Sequence, residues 1–84
     1  MAVSAESTDG IFSRLSPREL QVLEHTSQGR TNAQTAVDLR ITTHAVKFHL
    51  ASIYRKLGVA NRTEATARYV SAVAREEAHG FEHR

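Results

Sequence analysis

The chain has 84 residues, a formal net charge of +2 at pH 7 and no cysteine. This length leaves room for one domain, and the missing cysteines exclude a disulfide framework and a thiolate metal site. No apolar run is long enough to cross a membrane and the first residues lack a secretory signal, so we expect a cytoplasmic protein with no membrane partner.

Residues 1–13, MAVSAESTDGIFS, are small and polar and predict a flexible lead-in, in which Ile11 and Phe12 are candidates for contacts with the domain. The sequence LSPREL then indicates a first helix, because Ser16 suits the N-cap and Glu19 can complete a capping box. Gly29 suits the left-handed conformation that closes a helix. We therefore predict the first helix between Ser16 and Gly29.

A short second helix, a tight turn and a longer third helix are predicted next. Thr31 or Asn32 can cap the second helix, and Arg40 begins the connection that follows it. Thr42 can cap the third helix, which Gly58 ends. The third helix carries one apolar face with residues at spacings of four, three and four, namely Val46, Leu50, Ile53 and Leu57.

A fourth helix is predicted to begin in a capping box formed by Asn61 and Glu64 and to fray near Glu77 or Ala78. It carries two apolar stripes, of which one should face the core: Ala65, Tyr69 and Ala72 form the first, and Val70 and Val73 the second. The whole pattern predicts an all-α, four-helix bundle-like domain over residues 14–78, with a central helix-turn-helix and a disordered tail at 79–84.

The charge is unevenly distributed along the chain. From Arg40 to Thr63 the sequence has five bases and no acid. Such a run favours a surface that binds a polyanion, although a solvated basic face that binds nothing explains it equally well.

The outward side of the third helix carries a mixed set of side chains, and a helix-turn-helix places such a face in the major groove of DNA. There Lys47 can reach a guanine edge or a phosphate, Phe48 can pack against a thymine methyl, and Ala51 admits close approach. The first-turn amides of the second and third helices can receive phosphates. Two plainer interpretations stay open: Phe48 at the edge of the core, and Lys47 as a solvated lysine.

The runs LSPRELQVL, GRTNAQTAVDLRIT and AVKFHLASIYRKLGVANRTEA resemble the C-terminal DNA-binding domain of bacterial transcription regulators of the LuxR and FixJ type, over Leu15 to Val73. The resemblance implies sequence-specific binding of double-stranded DNA, with the third helix, about residues 43–57, as the reader and the fourth helix pairing two protomers. The predicted DNA-binding residues are Thr31, Asn32, Thr42, Thr43, His44, Lys47, Phe48, His49, Ala51 and Arg55. The predicted dimer interface consists of Tyr69, Val70 and Val73.

The sequence also departs from the family pattern. Gln34 and Thr35 stand where the family usually has Glu and Ile, Ala45 replaces a usual Thr, and Ala51 occupies a position that is often polar or basic. Thr35 in a core position needs a backbone carbonyl one turn back for its hydroxyl. Because Ala51 removes one possible base contact, we expect a narrower or weaker reading of the DNA site.

Other functions have weaker support. No nucleophile, base and orienting group can be assembled, so we do not expect an enzyme. No glycine-rich phosphate loop is present to hold a nucleotide cofactor, and a zinc site at His79 and His83 lacks further ligands. The main alternative is a protein-interaction module that pairs through its fourth helix with a longer regulator or docks on RNA polymerase.

The pairing of two protomers is itself open to an alternative, in which a single wide stripe of the fourth helix goes entirely into the core. If a homodimer forms, its small apolar patch predicts weak association. Whether the chain acts alone or joined to a sensing domain is left open by the sequence.

Overall fold

The computed structural model describes the backbone of residues 12–82 and the side chains of residues 12–76. Helices occupy most of this part of the chain, and it contains no strand, which confirms the all-α prediction. The helices are α1, Pro17–Ser27; α2, Asn32–Leu39; α3, Thr43–Leu57; and α4, Arg62–Glu82.

Helix α1 begins in the predicted capping box. The Ser16 hydroxyl accepts a hydrogen bond from the amide of Glu19 at 3.1 Å, and the Ser16 amide donates to Oε1 of Glu19 at 2.9 Å. Two of the amides that a helix start leaves unpaired are thereby satisfied. The helix ends at Ser27, and Gly29 beyond it has a φ of +91°.

The caps of α2 and α3 define the helix-turn-helix. Thr31, rather than Asn32, is the N-cap of α2, and Gln34 completes its capping box with Thr31 in both directions at 3.0 Å. Gln34 therefore supplies the cap that a glutamate would supply at this position. The Thr42 hydroxyl caps α3 by accepting from the Ala45 amide at 2.9 Å.

The turn between α2 and α3 depends on one left-handed residue. Arg40 has φ 60° and ψ 44°, and its amide donates to the carbonyls of Ala36 and Val37, so that α2 stops there and α3 starts three residues later. A side chain with a Cβ adopts this conformation at a cost of about 1 kcal/mol. Gly58 ends α3 in the same conformation, as predicted.

The core lies where α1, α3 and α4 meet. Its most deeply buried apolar side chains are Val22, Leu23, Val46, Ile53 and Ala65. The predicted apolar face of α3 is buried throughout, which confirms that stripe.

The first apolar stripe of α4 faces the core. Ala65 and Ala72 are buried, and Tyr69 packs against the core and meets the ring of Phe12 edge-on, with centroids 6.1 Å apart. Val70, by contrast, is 53% exposed. The alternative of one wide, fully buried stripe is therefore wrong. Phe12 makes the contact expected of it, and Ile11 lies outside the described residues.

The end of α4 differs from the prediction, because the helix continues to Glu82 instead of fraying near Glu77 or Ala78. Residues 74–79 contain good helix formers and no proline, and a single glycine at position 80 costs about 1 kcal/mol without stopping a helix. Part of the predicted disordered tail is thus helical. Residues 1–11 and 83–84 lie outside the described structure, and with them most of the predicted lead-in.

Thr35 also departs from expectation. Its side chain is 0% exposed, as a core position requires, but its hydroxyl has no hydrogen-bond partner in the described part of the chain. Thr26 on α1 shows the arrangement that was expected, since its hydroxyl donates to the carbonyl of Val22 at 3.0 Å. A helical threonine has two accessible χ1 rotamers, and hydroxyl bonding to the preceding turn depends on which is adopted.

Candidate nucleic-acid interface

One buried carboxylate fixes the position of α3 against α1. Glu19 accepts a hydrogen bond from the Ser52 hydroxyl at 2.6 Å and from Nζ of Lys56 at 2.9 Å, in addition to its bond from the Ser16 amide. Burial alone raises the pKa of Glu19, but the hydrogen bonds from Ser52, Lys56 and Ser16 outweigh it and lower the pKa from 4.5 to about 2. The carboxylate is therefore ionised at neutral pH and holds the middle of α3 in place.

This contact was missed by sequence reasoning, which assigned Glu19 only to the helix cap. Ser52 and Lys56 are one turn apart on α3, so a single carboxylate on α1 can reach both. They lie 33 and 37 residues from Glu19, and no local pattern connects positions so far apart.

A second long-range contact anchors the start of α2. Arg62, the first residue of α4, donates to the carbonyl of Arg30 at 3.3 Å and to Oδ1 of Asn32. Asn32, a predicted phosphate contact, keeps its Nδ2 amide as a donor. Arg30 in turn forms a bidentate pair with Asp38, with distances of 2.8 and 2.9 Å, and this pair joins the two ends of α2.

These contacts divide the acid-free segment into two kinds of base. Lys56 is paired with Glu19, and Arg62 is bound to the turn before α2. The side chains of Arg40, Lys47 and Arg55 are exposed and form no hydrogen bond or ion pair with the described side chains and backbone of residues 12–76. Within the acid-free segment, the uncompensated positive charge therefore lies along the turn and on the outward side and one flank of α3.

The outward side of α3 is centred on Phe48. With 3.6 residues per turn, Phe48 and Arg55 point directly away from the buried stripe, and Lys47 lies a quarter turn to one side. Phe48 is 70% exposed, so its placement at the edge of the core is wrong. We use the name reading stripe for the exposed residues that follow one another at spacings of four, three and four: His44, Phe48, Ala51 and Arg55.

His49 lies only partly on this surface. Its side chain is half-buried, and its ring meets that of Phe48 edge-on, with centroids 5.9 Å apart. It lies on the flank of α3 away from Lys47.

Thr31 and Thr42, the N-caps of α2 and α3, present hydroxyl groups on the surface of the domain. Both side chains are exposed, and each hydroxyl accepts a capping hydrogen bond while its own hydrogen remains free to donate to an oxygen. Thr43, in the first turn of α3, is also exposed. The predicted contacts Thr31 and Asn32 therefore lie at the start of α2, and Thr42 and Thr43 lie at the start of α3.

The comparisons with known proteins agree with this architecture. The family model described as bacterial regulatory proteins, luxR family, matches residues 13–69, which is more than half of the chain. The chain belongs to the luxR family of bacterial regulatory proteins. This membership supports DNA-binding transcription regulation and confirms the resemblance read from the sequence.

Several curated proteins resemble this luxR-family chain. The HTH-type quorum sensing-dependent transcriptional regulator RpaR of Rhodopseudomonas palustris is 49% identical over 55 residues, which cover 66% of this chain and 23% of that protein. The nitrate/nitrite response regulator protein NarP of Escherichia coli is 46% identical over 55 residues, which cover 66% of this chain and 26% of that protein. The transcriptional regulatory protein ComA of Bacillus subtilis is 39% identical over 51 residues, which cover 61% of this chain and 24% of that protein.

The matched segment thus spans about a quarter of each of these relatives. No solved structure gave a significant match to the chain.

The predicted dimer residues of α4 are placed differently from one another. Val70 is exposed, whereas Tyr69 and Val73 are half-buried. Burial raises the pKa of Tyr69, in keeping with a ring packed on the core. Val70 and Val73 also lie beyond the segment matched by the luxR-family model.

Two further features of the described residues bear on other functions. None of the helices within residues 12–82 is long and apolar enough to span a membrane. The described side chains contain no group of histidines and carboxylates suited to hold a metal ion, and the side chains of His79 and His83 lie outside them.

Proposed function

We propose that the chain binds double-stranded DNA sequence-specifically as part of a bacterial transcription regulator, with α3 in the major groove. The observation that carries this proposal is the outward side of α3, where exposed cations without partners in residues 12–76 flank the reading stripe. An exposed helix face without acids attracts phosphate, and a helix of this size fits the major groove. Membership of the luxR family supports the same function.

The proposed contacts fall into two groups. Lys47, Phe48, Ala51 and Arg55 face the base edges, because they lie on or beside the outward pole of α3. The surrounding phosphates are bound by groups in the first turns of α2 and α3 and by His49 on the flank of α3. This second group comprises Thr31, Asn32, Thr42, Thr43, His44 and His49.

We further propose that α4 forms a weak two-fold homodimer centred on Val70, with Tyr69 and Val73 at its border. Exposure of a large apolar side chain beside the small Ala67 and Ala74 supports this face. Two copies paired in this way would present two copies of α3 to half-sites about 34 to 36 Å apart. An interface centred on one valine is small, so dimerisation would depend on DNA or on further parts of a regulator.

A second candidate function is protein interaction through the same face of α4, with a longer regulator or with RNA polymerase as partner. The exposure of Val70 favours it, and each named relative is about four times as long as its matched segment. In that case the outward side of α3 would be a solvated surface. We propose that the protein acts in the cytoplasm, where bacterial DNA lies, and not as an enzyme.

Fluorescence anisotropy with a random-sequence duplex tests the proposed function without knowledge of the target site. Between about 50 and 200 mM salt, each phosphate contact contributes a slope of about 0.9 in log affinity against log salt. We expect a slope of several contacts, reduced by about one contact in Lys47→Ala, because on random-sequence DNA the ammonium of Lys47 pairs with a phosphate instead of a guanine edge. Arg75→Ala on α4 removes the same charge elsewhere and should leave the slope unchanged.

Two outcomes would favour the protein-interaction function instead. One is the absence of binding at the lowest salt. The other is a slope that Lys47→Ala and Arg75→Ala reduce equally, because DNA would then respond only to total charge. If Val70→Asp abolishes regulation while DNA binding stays intact, α4 binds a protein partner.

A further inference from the structure

The reading stripe has a large apolar side chain near its centre. Phe48 is 70% exposed, at the pole of α3 opposite the core, and Ala51 is exposed one turn further along the helix. A single exposed apolar side chain is common on folded domains, but this ring shares its helix face with an exposed alanine and lies close to cations that have no partner within residues 12–76. Phe48 and Ala51 together therefore form a small apolar surface at the centre of the proposed DNA-binding face.

Cations stand at both ends of this apolar surface. Lys47 precedes Phe48, Arg55 follows Ala51 by one turn, and neither has a partner within residues 12–76. The separation from Lys47 to Arg55 is about 12 Å along the helix axis, at about 1.5 Å per residue. Phosphates or guanine edges can be bound at either end, so the DNA would be drawn against the apolar surface between them.

The apolar surface restricts which base features can be read there. The side chains of Phe48 and Ala51 have no hydrogen-bond donor or acceptor, so they cannot satisfy the polar edge of a base. Every polar base edge that they cover loses its water without a replacement, which is unfavourable. The major groove of unmodified DNA displays one apolar group, the C5-methyl of thymine.

We infer that Phe48 and Ala51 recognise a C5-methyl pyrimidine in the major groove, between two positions bound by Lys47 and Arg55. This inference rests on the proposed function and specifies the DNA that it selects. Thymine and 5-methylcytosine carry the same methyl group at the same place in the groove. Binding is stabilised by removing that methyl and the phenyl ring from water together.

The test compares duplexes that differ only in this methyl group. Alternating dA-dT and dA-dU duplexes of about 20 base pairs, two helical turns, have the same charge and sequence pattern. A second pair consists of an alternating dG-dC duplex and the same duplex with 5-methylcytosine in place of cytosine. It tests whether the methyl group of 5-methylcytosine is recognised. Affinities are measured by anisotropy at one fixed salt concentration, so that the phosphate contribution is equal within each pair.

We expect the methylated member of a pair to bind more tightly, by about fourfold for each methyl in contact. Phe48→Ala should reduce this ratio towards one, and circular dichroism should show the native helix content because the replaced ring is exposed. Lys47→Ala is the matched control, since it should weaken binding to both members and keep their ratio.

The outcomes separate this inference from the proposed function. If only the thymine pair shows a preference, the recognised base is thymine. If only the cytosine pair shows one, it is 5-methylcytosine, and a preference in both pairs identifies the shared methyl group as the recognised feature. Equal affinities within both pairs, with a salt-dependent affinity retained, would overturn methyl recognition and leave DNA binding in place. A methyl preference that survives Phe48→Ala would also overturn it. The absence of binding to every duplex would remove the proposed function as well.

Discussion

Lys47 and Lys56 lie on the same helix and have opposite roles. Lys56 is on the flank that faces α1, where Nζ lies 2.9 Å from the carboxylate of Glu19. Lys47 is exposed and has no ion-pair partner among the described side chains. The comparison shows that counting bases along the sequence overestimates a DNA-binding surface, because part of the positive charge stabilises the fold.

The largest expected effect comes from removing the carboxylate that distinguishes the two lysines. Glu19→Ala deletes the acceptor of Ser52 and Lys56 and half of the α1 capping box, so we expect the free energy of unfolding to fall by about 3 kcal/mol. Urea unfolding monitored by circular dichroism measures the change. Lys47→Ala is the matched control and should change stability by less than about 0.5 kcal/mol. Equal losses in the two variants would contradict the distinction.

The pH dependence of stability sharpens the same comparison. Because the folded-state pKa of Glu19 is about 2 and its ordinary value is 4.5, its stabilisation is fully present above pH 4.5 and is lost as the pH falls towards 2. We expect this group to contribute on the order of 2 to 3 kcal/mol to that loss. Unfolding curves from pH 6 to pH 2 measure it. In Glu19→Gln the corresponding part of the pH dependence should be missing; an unchanged profile would assign the acid sensitivity to other groups.

Reversing the charge on the outward lysine tests the other side of the comparison. Lys47→Ala should weaken DNA binding by about 1 to 2 kcal/mol, and Lys47→Glu should weaken it more, because repulsion of the phosphates is added to the lost contact. Anisotropy titration at constant salt gives both values. Identical affinities for the two variants and the unmodified protein would remove Lys47 from the interface.

The smallest expected effect concerns a buried polar group that, unlike Glu19, lacks partners. Thr35→Val replaces the unpaired hydroxyl with a methyl of nearly the same size, so we expect stabilisation by about 1 kcal/mol. The midpoint of urea unfolding should rise without a change in slope. Destabilisation would show that the hydroxyl makes a hydrogen bond in solution. The same replacement at Thr26, whose hydroxyl is bonded, should destabilise the fold.

The helices and their starts were predictable because their signals are local. Ser16, Thr42 and Gly58 each act within a few residues of their own position, and the structure confirms them. The apolar face of α3 was predictable for the same reason, since one helical period specifies it.

The parts that sequence reasoning missed depend on distant residues or on missing signals. The contacts of Glu19 with α3, and of Arg62 with the turn before α2, join residues 30 or more positions apart. The unpaired hydroxyl of Thr35 depends on a side-chain rotamer, and the end of α4 has no stop signal to read. The predicted DNA contacts and dimer face stay predictions, because they involve partners outside the chain.

The carboxylate of Glu19 also makes two parts of the domain cooperative. Oε1 accepts from the Ser16 amide that starts α1 and from the Lys56 ammonium on α3, so an opening of the first turn of α1 that displaces Glu19 also breaks its contact with α3. Fraying ordinarily affects a helix end independently of the rest of a protein, but here it would also loosen α3, the helix proposed to bind DNA. The amide hydrogens of Ser16 and of the middle of α3 should therefore exchange with solvent in the same opening event.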